Sequence, residues 1–309
     1  MWPRGSSRIA DTDAARFRAR RAELGFGPLV VHANYLINLA SGDPVLRAKS
    51  IQAFHGEIVR AQALGADFLV VHPGCALDAA PTAAIRAVAD ALRDAFRGVA
   101  ALAEAADLAR KDELRVLLEN TAGMGSAVGN RFEDLRAIMD QAEELPLGVC
   151  LDTAHAFAAG YPIHTATGLD QTIRELDRAV GLQRVAVLHV NDSKTPFGSR
   201  VDRHEHIGRG KIGLDAFRRI LTHPQFSANT SDGLAGRAFI LETPIDAPGD
   251  DRRNVRTVWK LAGFSVKQAP RAENGFSMRR EPKKAHPAAQ SKGRAPQSRR
   301  THGAKRAAA

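Results

Sequence analysis

Cysteine is scarce in this 309-residue chain: only Cys75 and Cys150 occur, far apart and in no metal-like pairing. That excludes a disulfide framework and points to a reducing compartment. Long apolar runs are missing too. No stretch approaches the ~18 apolar residues of a membrane span, and Met1-Trp2-Pro3-Arg4-Gly5 leads into charges rather than a secretory leader. The expectation is a soluble, cytoplasmic protein with no membrane partner. Charge of one sign is also absent from most of the chain. Residues 265–309 hold twelve Lys and Arg against Glu273 and Glu281, so the 32 basic and 32 acidic residues before them cancel and the net +10 resides in the tail. Rich in Pro, Ala, Arg, Lys and Gln, the tail is expected to be disordered. Such an arm attracts polyanions by counterion release without reading sequence, although the same composition also fits a merely solvated extension.

What is present suits a folded enzyme. The 44% hydrophobic content supports a sizeable core. Six short apolar runs, at 28–31, 67–71, 114–118, 147–151, 185–188 and 238–241, have the length of strands buried on both faces. Between them lie segments of helical periodicity, such as 45–64 and 82–110. Strands alternating with helices predict an α/β fold with a parallel sheet, either doubly wound or closed into a barrel.

The residue that follows each run is His32, His72, Glu119, Asp152, His189 or Glu242. Active sites of parallel α/β folds lie at the carboxyl ends of the strands, so the six are expected to converge. One polar residue after a strand is ordinarily a cap. Six together put histidines and carboxylates in one low-dielectric pocket, where the carboxylates repel unless cations neutralise them. Three more candidates sit nearby: His155, three residues after Asp152, and the pair Asp202 and His204. Five histidines with four carboxylates suit zinc, or iron or manganese, and exceed what one ion needs. Two or three clustered ions are expected, the arrangement used for phosphoester displacement. The histidines at 55, 164, 206, 223, 286 and 302 read as structural or solvent-facing.

The motifs Asn34-Tyr35-Leu36-Ile37-Asn38-Leu39, His72-Pro73-Gly74, Glu119-Asn120-Thr121-Ala122-Gly123 and Asp152-Thr153-Ala154-His155-Ala156-Phe157 occur in that order. They are followed by His189-Val190-Asn191-Asp192, Gly198-Ser199-Arg200-Val201-Asp202-Arg203-His204 and Leu241-Glu242-Thr243. Together they resemble endonuclease IV, the apurinic/apyrimidinic endonuclease, from about Trp2 to Phe264. The resemblance implies a TIM-type (β/α)₈ barrel over 1–264 holding three Zn²⁺ ions, with 265–309 as the basic tail. One ion would take His32, His72 and Glu119. A second would take Asp152, His189 and Glu242 with Glu119 as bridge, and a third His155, Asp202 and His204. The implied reaction is hydrolysis of the phosphodiester 5′ to an abasic site in double-stranded DNA by a monomeric enzyme, leaving a 3′-hydroxyl and a 5′-deoxyribose phosphate. Glu242 and Glu119 would be the catalytic carboxylates. Tyr35 matches a residue facing the distorted duplex, and Lys194, Arg200 and Arg203 lie on a loop suited to phosphates.

Two departures stand out. The family begins with a strand, a helix and a second strand ahead of the segment matching Met1-Trp2, so an N-terminally truncated barrel of about six strands, with open edges, is expected here. The expected explanation is a start codon assigned too late, with a partner chain or a degenerate gene as the alternatives. In addition, Ala154 stands where a Cys is common, and Arg209 and Lys211 add positive charge to a turn that is usually acidic or neutral. The rival readings are a metal-dependent sugar (phosphate) isomerase on a related barrel and an inactive DNA-binding remnant.

Overall fold

The computed structural model describes residues 9–105, 114–226 and 237–264. Helices and strands alternate as α1 (Asp11–Leu24), β1 (Val30–His32), α2 (Pro44–Leu64), β2 (Phe68–Val71), α3 (Pro81–Ala105), β3 (Arg115–Glu119), α4 (Phe132–Gln141) and β4 (Leu147–Asp152). They continue as α5 (Thr153–Ala159), α6 (Ala166–Val180), β5 (Val185–His189), β6 (Asp192–Ser193), β7 (His204–Glu205), α7 (Leu214–Thr222), β8 (Ala238–Ile240) and α8 (Asp250–Leu261). Six strands form one parallel sheet in the order β1-β2-β3-β4-β5-β8, and β6 pairs with β7 antiparallel. Among the described residues β1 and β8 each pair on one side only. All six apolar runs are therefore strands of that sheet. The helix expected over 82–110 is described to Ala105, and its last residues and the tail at 265–309 lie outside the described residues. No helix of the described residues is long and apolar enough to cross a membrane.

The period-two alternation of each strand divides the apolar side chains between two faces. Leu69, Val71, Val116, Leu118, Val149, Leu151 and Leu188 pack against the helices together with Phe54, Leu92, Leu135 and Phe217. Val70, Leu117, Cys150 and Val187 form a second, smaller cluster. Burial there pushes the Cys150 thiol up to about 12, so it is an inert core residue rather than a nucleophile. Phe54 on α2 is fully buried in the larger cluster. Phe54→Ala is expected to cost about 3–5 kcal/mol in urea unfolding; a loss near zero would show that this helix face does not carry the core.

Local signals place the helices. Asp43 caps α2 by accepting from the Val45 and Leu46 N–H groups, with Pro44 at the first helical position, and Gly65 ends the helix at φ +68°. The charged α1 has almost no apolar stripe and no counterpart in the sequence reading. Polar contacts hold it: Arg21 donates to the Phe26 and Gly65 carbonyls at 2.9 and 2.6 Å and pairs with Asp67.

Candidate metal centre

Each strand delivers a side chain to the carboxyl end of the sheet. His32 ends β1, Glu119 β3, Asp152 β4 and His189 β5, while His72 and Glu242 follow β2 and β8. His155 comes within reach because Asp152 both ends β4 and caps α5, its Oδ1 accepting from the His155 N–H at 2.6 Å. Asp202 and His204 arrive from the loop into β7.

Glu119 is the hub, and its side chain is wholly buried. His32 Nε2 and His72 Nε2 each lie 3.0 Å from its Oε2. His189 Nδ1 lies 2.9 Å and His155 Nδ1 3.3 Å from its Oε1. His189 Nδ1 is also 3.1 Å from Glu242 Oε2. Asp202 joins the last pair, Oδ2 standing 3.2 Å from His155 Nε2 and Oδ1 3.4 Å from His204 Nε2. Ligand-type atoms lie within 4.8 Å of one another in four overlapping sets: His32, Glu119, His189; His72, Glu119, His155; Asp152, His155, His204; and Glu119, Asp152, His189, Glu242. Asp202 is in none of these sets but touches two of their members. All nine residues are thus at one site, which is floored by buried Glu119, Asp152, His155 and His189 and opens past His32, His72, Asp202 and Glu242.

The histidines are oriented for ligation. Nδ1 faces a backbone carbonyl in His32 (Ala33 O, 2.8 Å), His155 (Asn120 O, 2.9 Å) and His204 (Glu242 O, 3.2 Å). A neutral imidazole donating through Nδ1 leaves the Nε2 lone pair free, the usual way a ligating histidine is held. In His204 that Nε2 is buried with no hydrogen-bond partner. A buried nitrogen lone pair aimed between two carboxylates fits a cation, and so does the donor set of imidazoles and carboxylates.

Electrostatics shows what the cluster lacks. Burial works to raise the Glu119 carboxyl, but the charges of His189 and His72 and hydrogen bonds from His155 and His189 overcome it and hold it well below the carboxylate range. Asp202 is likewise held at about 2: burial opposes the shift, and His155 and His204 dominate. Glu242 is lowered by His189 against burial. Conversely burial disfavours the His155 and His189 cations, yet Asp152, with Asp202 and Glu119, raises His155, and Glu119, with Cys150, raises His189, both far above the ordinary imidazole. Protons on histidine thus serve as the counter-charge, a role that bound cations would take over.

The xylose isomerase-like TIM barrel family model matches residues 1–258. A probable endonuclease 4 of Solibacter usitatus is 52% identical over 251 residues, covering 80% of each chain. Another, of Nitratidesulfovibrio vulgaris, is 42% identical over 265 residues, covering 85% of this chain and 86% of the relative. The crystal structure of endonuclease IV from Thermus thermophilus superposes with a TM-score of 0.69 at 37% identity, covering 84% of each. The chain belongs to the endonuclease IV family. Its fold is the TIM barrel, of which the described residues supply six parallel strands.

Other residues of this endonuclease IV relative lie around the cluster. Tyr35, in the loop after β1, is 84% exposed. Lys194, Arg200 and Arg203 lie on the loop that runs to Asp202 and His204, all three exposed. That loop is pinned to α5: Gly198 and Arg200 donate to the Phe157 and Ala158 carbonyls at 3.1 and 2.9 Å, and the Phe197 ring meets Phe157 and His164. Arg200 takes a left-handed φ of +55° to do so. The turn bearing Arg209 and Lys211 is built on buried Asp192, whose carboxylate accepts from the N–H groups of Ser193, Gly208, Gly210 and Ile212 at 2.8–3.1 Å. A Cβ on Gly210 would strike that carboxylate, so only glycine fits there. His206 is structural, as the sequence suggests: it is buried, with Nδ1 3.0 Å from Asn254 Nδ2. Sequence reasoning gave no role to Asp192, Asn120, Thr153 or Asn191. The available signal was a small polar residue one to three positions beyond a ligand.

Proposed function

We propose that this protein is a DNA-repair endonuclease that hydrolyses the phosphodiester 5′ to abasic sites in duplex DNA, leaving 3′-hydroxyl and 5′-deoxyribose phosphate ends. The observation that carries the reading is the gathering of nine side chains of metal-ligating type at one site, buried Glu119 among them, with His204 Nε2 left without a hydrogen bond. Three Zn²⁺ ions are the proposed complement. Residues His32, His72 and Glu119 would hold one, Glu119, Asp152, His189 and Glu242 a second, and His155, Asp202 and His204 the third. When bound, zinc supplies Lewis acidity, which makes water acidic enough to act near neutral pH and offsets charge growing on phosphate oxygens.

The protein's own residues do the rest. Glu119, pressed between four imidazoles, keeps His32, His72, His155 and His189 at fixed spacing. Glu242 is the half-open carboxylate at the mouth, 32% exposed, and is held ionised, so it can orient an attacking water and take its proton. Lys194, Arg200 and Arg203 would bind backbone phosphates on either side of the lesion, and Tyr35 would press on the duplex where a base is missing. An abasic nucleotide has no base to unstack, so extruding it costs less than flipping an intact one. A sugar isomerase on this barrel would need one or two ions, and Asp202 with His204 provides ligands for a further one.

The test is a duplex oligonucleotide carrying one abasic analogue. One cut 5′ to the lesion is expected, lost with chelator and restored by zinc. A protein that binds this duplex yet never nicks it with zinc present would instead be a DNA-binding remnant. Removing residues 265–309 is expected to lower the slope of log K against log salt by about 0.9 for each phosphate the tail had neutralised, leaving the cutting step unchanged. An unchanged slope would show that the tail does not touch DNA.

A further inference from the structure

We infer that Asn191, backed by Thr153, is a positioning residue that sets the separation and direction of the Asp152 and Glu242 carboxylates. The inference rests on the metal-centre reading above. Asn191 is fully buried two residues past the end of β5, and both ends of its amide are used. Oδ1 accepts from the Glu242 N–H at 2.7 Å. Nδ2 donates to Asp152 Oδ2 at 2.6 Å and lies 3.4 Å from Glu242 Oε2. The β5–β8 pairing ends at His189 and Ile240, and the Val190 N–H donates to the Ile240 carbonyl at 2.7 Å. The Asn191 side chain takes over the next step of that ladder. One planar group therefore ties the end of β4 to the stretch beyond β8, across β5.

Asn191 is itself held. Its N–H donates to Thr153 Oγ1 at 2.9 Å, and that hydroxyl donates to the Asn191 carbonyl at 2.7 Å, with the His189 carbonyl 3.2 Å away. Asp152 is gripped on every side. Its Oδ1 accepts from the His155 N–H, while the Asn120 amide accepts from its N–H at 2.7 Å and donates to its carbonyl at 3.1 Å.

Chemistry explains the amide. Two carboxylates in ligand reach of each other repel where water is excluded. A neutral donor placed between them relieves that repulsion without adding charge, and an amide nitrogen does not compete for a cation. Aspartate at this position would keep the shape but replace the donor with a further acceptor. Leucine would leave a buried carboxylate oxygen and the Glu242 N–H unsatisfied.

The test compares wild type, Asn191→Asp, Asn191→Leu and Thr172→Val, each loaded with Co²⁺ as an optical probe. Thr172 is a buried hydroxyl on α6 bonded to the Gly168 carbonyl, outside the cluster, and serves as the structural control. Both Asn191 variants are expected to shift the visible Co²⁺ bands and to release the metal to chelator about 10–100-fold faster. Their kcat should fall by a similar factor of about 10–100 with KM changed by less than about threefold. Thr172→Val should lose stability and leave bands, release and kcat alone. Wild-type bands and release in the folded Asn191 variants would overturn the positioning role. So would failure of both to fold where Thr172→Val folds, because Asn191 would then be a stability residue. Wild type that takes up no Co²⁺ would refute the metal centre itself, before any variant is compared.

Discussion

Glu242→Gln is expected to lower cutting of abasic duplex by about 10³-fold, inside the ~10²–10⁴ span typical of a lost general base, while the DNA dissociation constant stays within about threefold. The substitution keeps the side chain's shape and removes its charge. Glu242 lies 3.1 Å from His189 and is partly open, whereas Glu119 and Asp152 have no exposed side-chain surface. Of the three carboxylates around His189, Glu242 is therefore the one that water from solvent can reach. The cations proposed to bind phosphate sit on a separate loop held by the Phe157 and Ala158 carbonyls. Among the described residues its one contact with Glu242 is His204 Nδ1 at the Glu242 backbone carbonyl, which the substitution leaves in place. Loss of binding and cutting together, in a folded protein, would make Glu242 a structural residue instead.

The second large effect is a divergence of pH dependence with and without metal. In the metal-free protein His155 and His189 have raised pKa values, with burial opposing the shift and the carboxylates dominating. A raised folded pKa gives stability that is complete below the unfolded histidine value of about 6.5 and is lost as pH rises through the folded value. Glu119 and Asp202 have lowered values, so their share is present above about 4 and is lost as pH falls below that. The metal-free protein should therefore be most stable between about pH 4.5 and 6.5 and weaken as pH rises further. Ligating histidines must give up their protons, so zinc affinity should climb over that same upper range and offset the loss, leaving the stability of the loaded protein nearly level with pH. At about 1,000 Kd of free metal each site adds about 4 kcal/mol, enough together for a rise in Tm of more than about 10 °C near pH 8. Thermal melts against pH, with chelator and with zinc, read both slopes. Parallel curves would show that metal does not displace protons from this cluster.

Much of this was legible in the residues because buried parallel strands are short continuous apolar runs, and the six runs end at the candidate ligands themselves. His155 could be read from its spacing after Asp152, since a residue that ends a strand and caps the next helix leaves room for one turn. Helix α1 was not legible, because Arg18 and Arg21 hold it through carbonyls some forty residues away rather than through an apolar stripe. The asparagine bridge was equally hidden. Asn191 meets Asp152 and Glu242 only once the register of three strands is set, and register between strands so far apart in the chain leaves no local trace. The implied ligand sets share only Glu119, whereas the structure interleaves them further: His155 stands by Glu119 and Asp152 as well as by Asp202. A shared buried hub accounts for the overlap, because four imidazoles converge on the two oxygens of one carboxylate.

The metal content of folded, purified protein is decisive, measured by elemental analysis against protein concentration. Three zinc ions per chain are expected, falling to none after chelation at mildly acidic pH and returning on readdition. Fully folded protein that nicks abasic duplex while holding no transition metal would contradict the trinuclear centre.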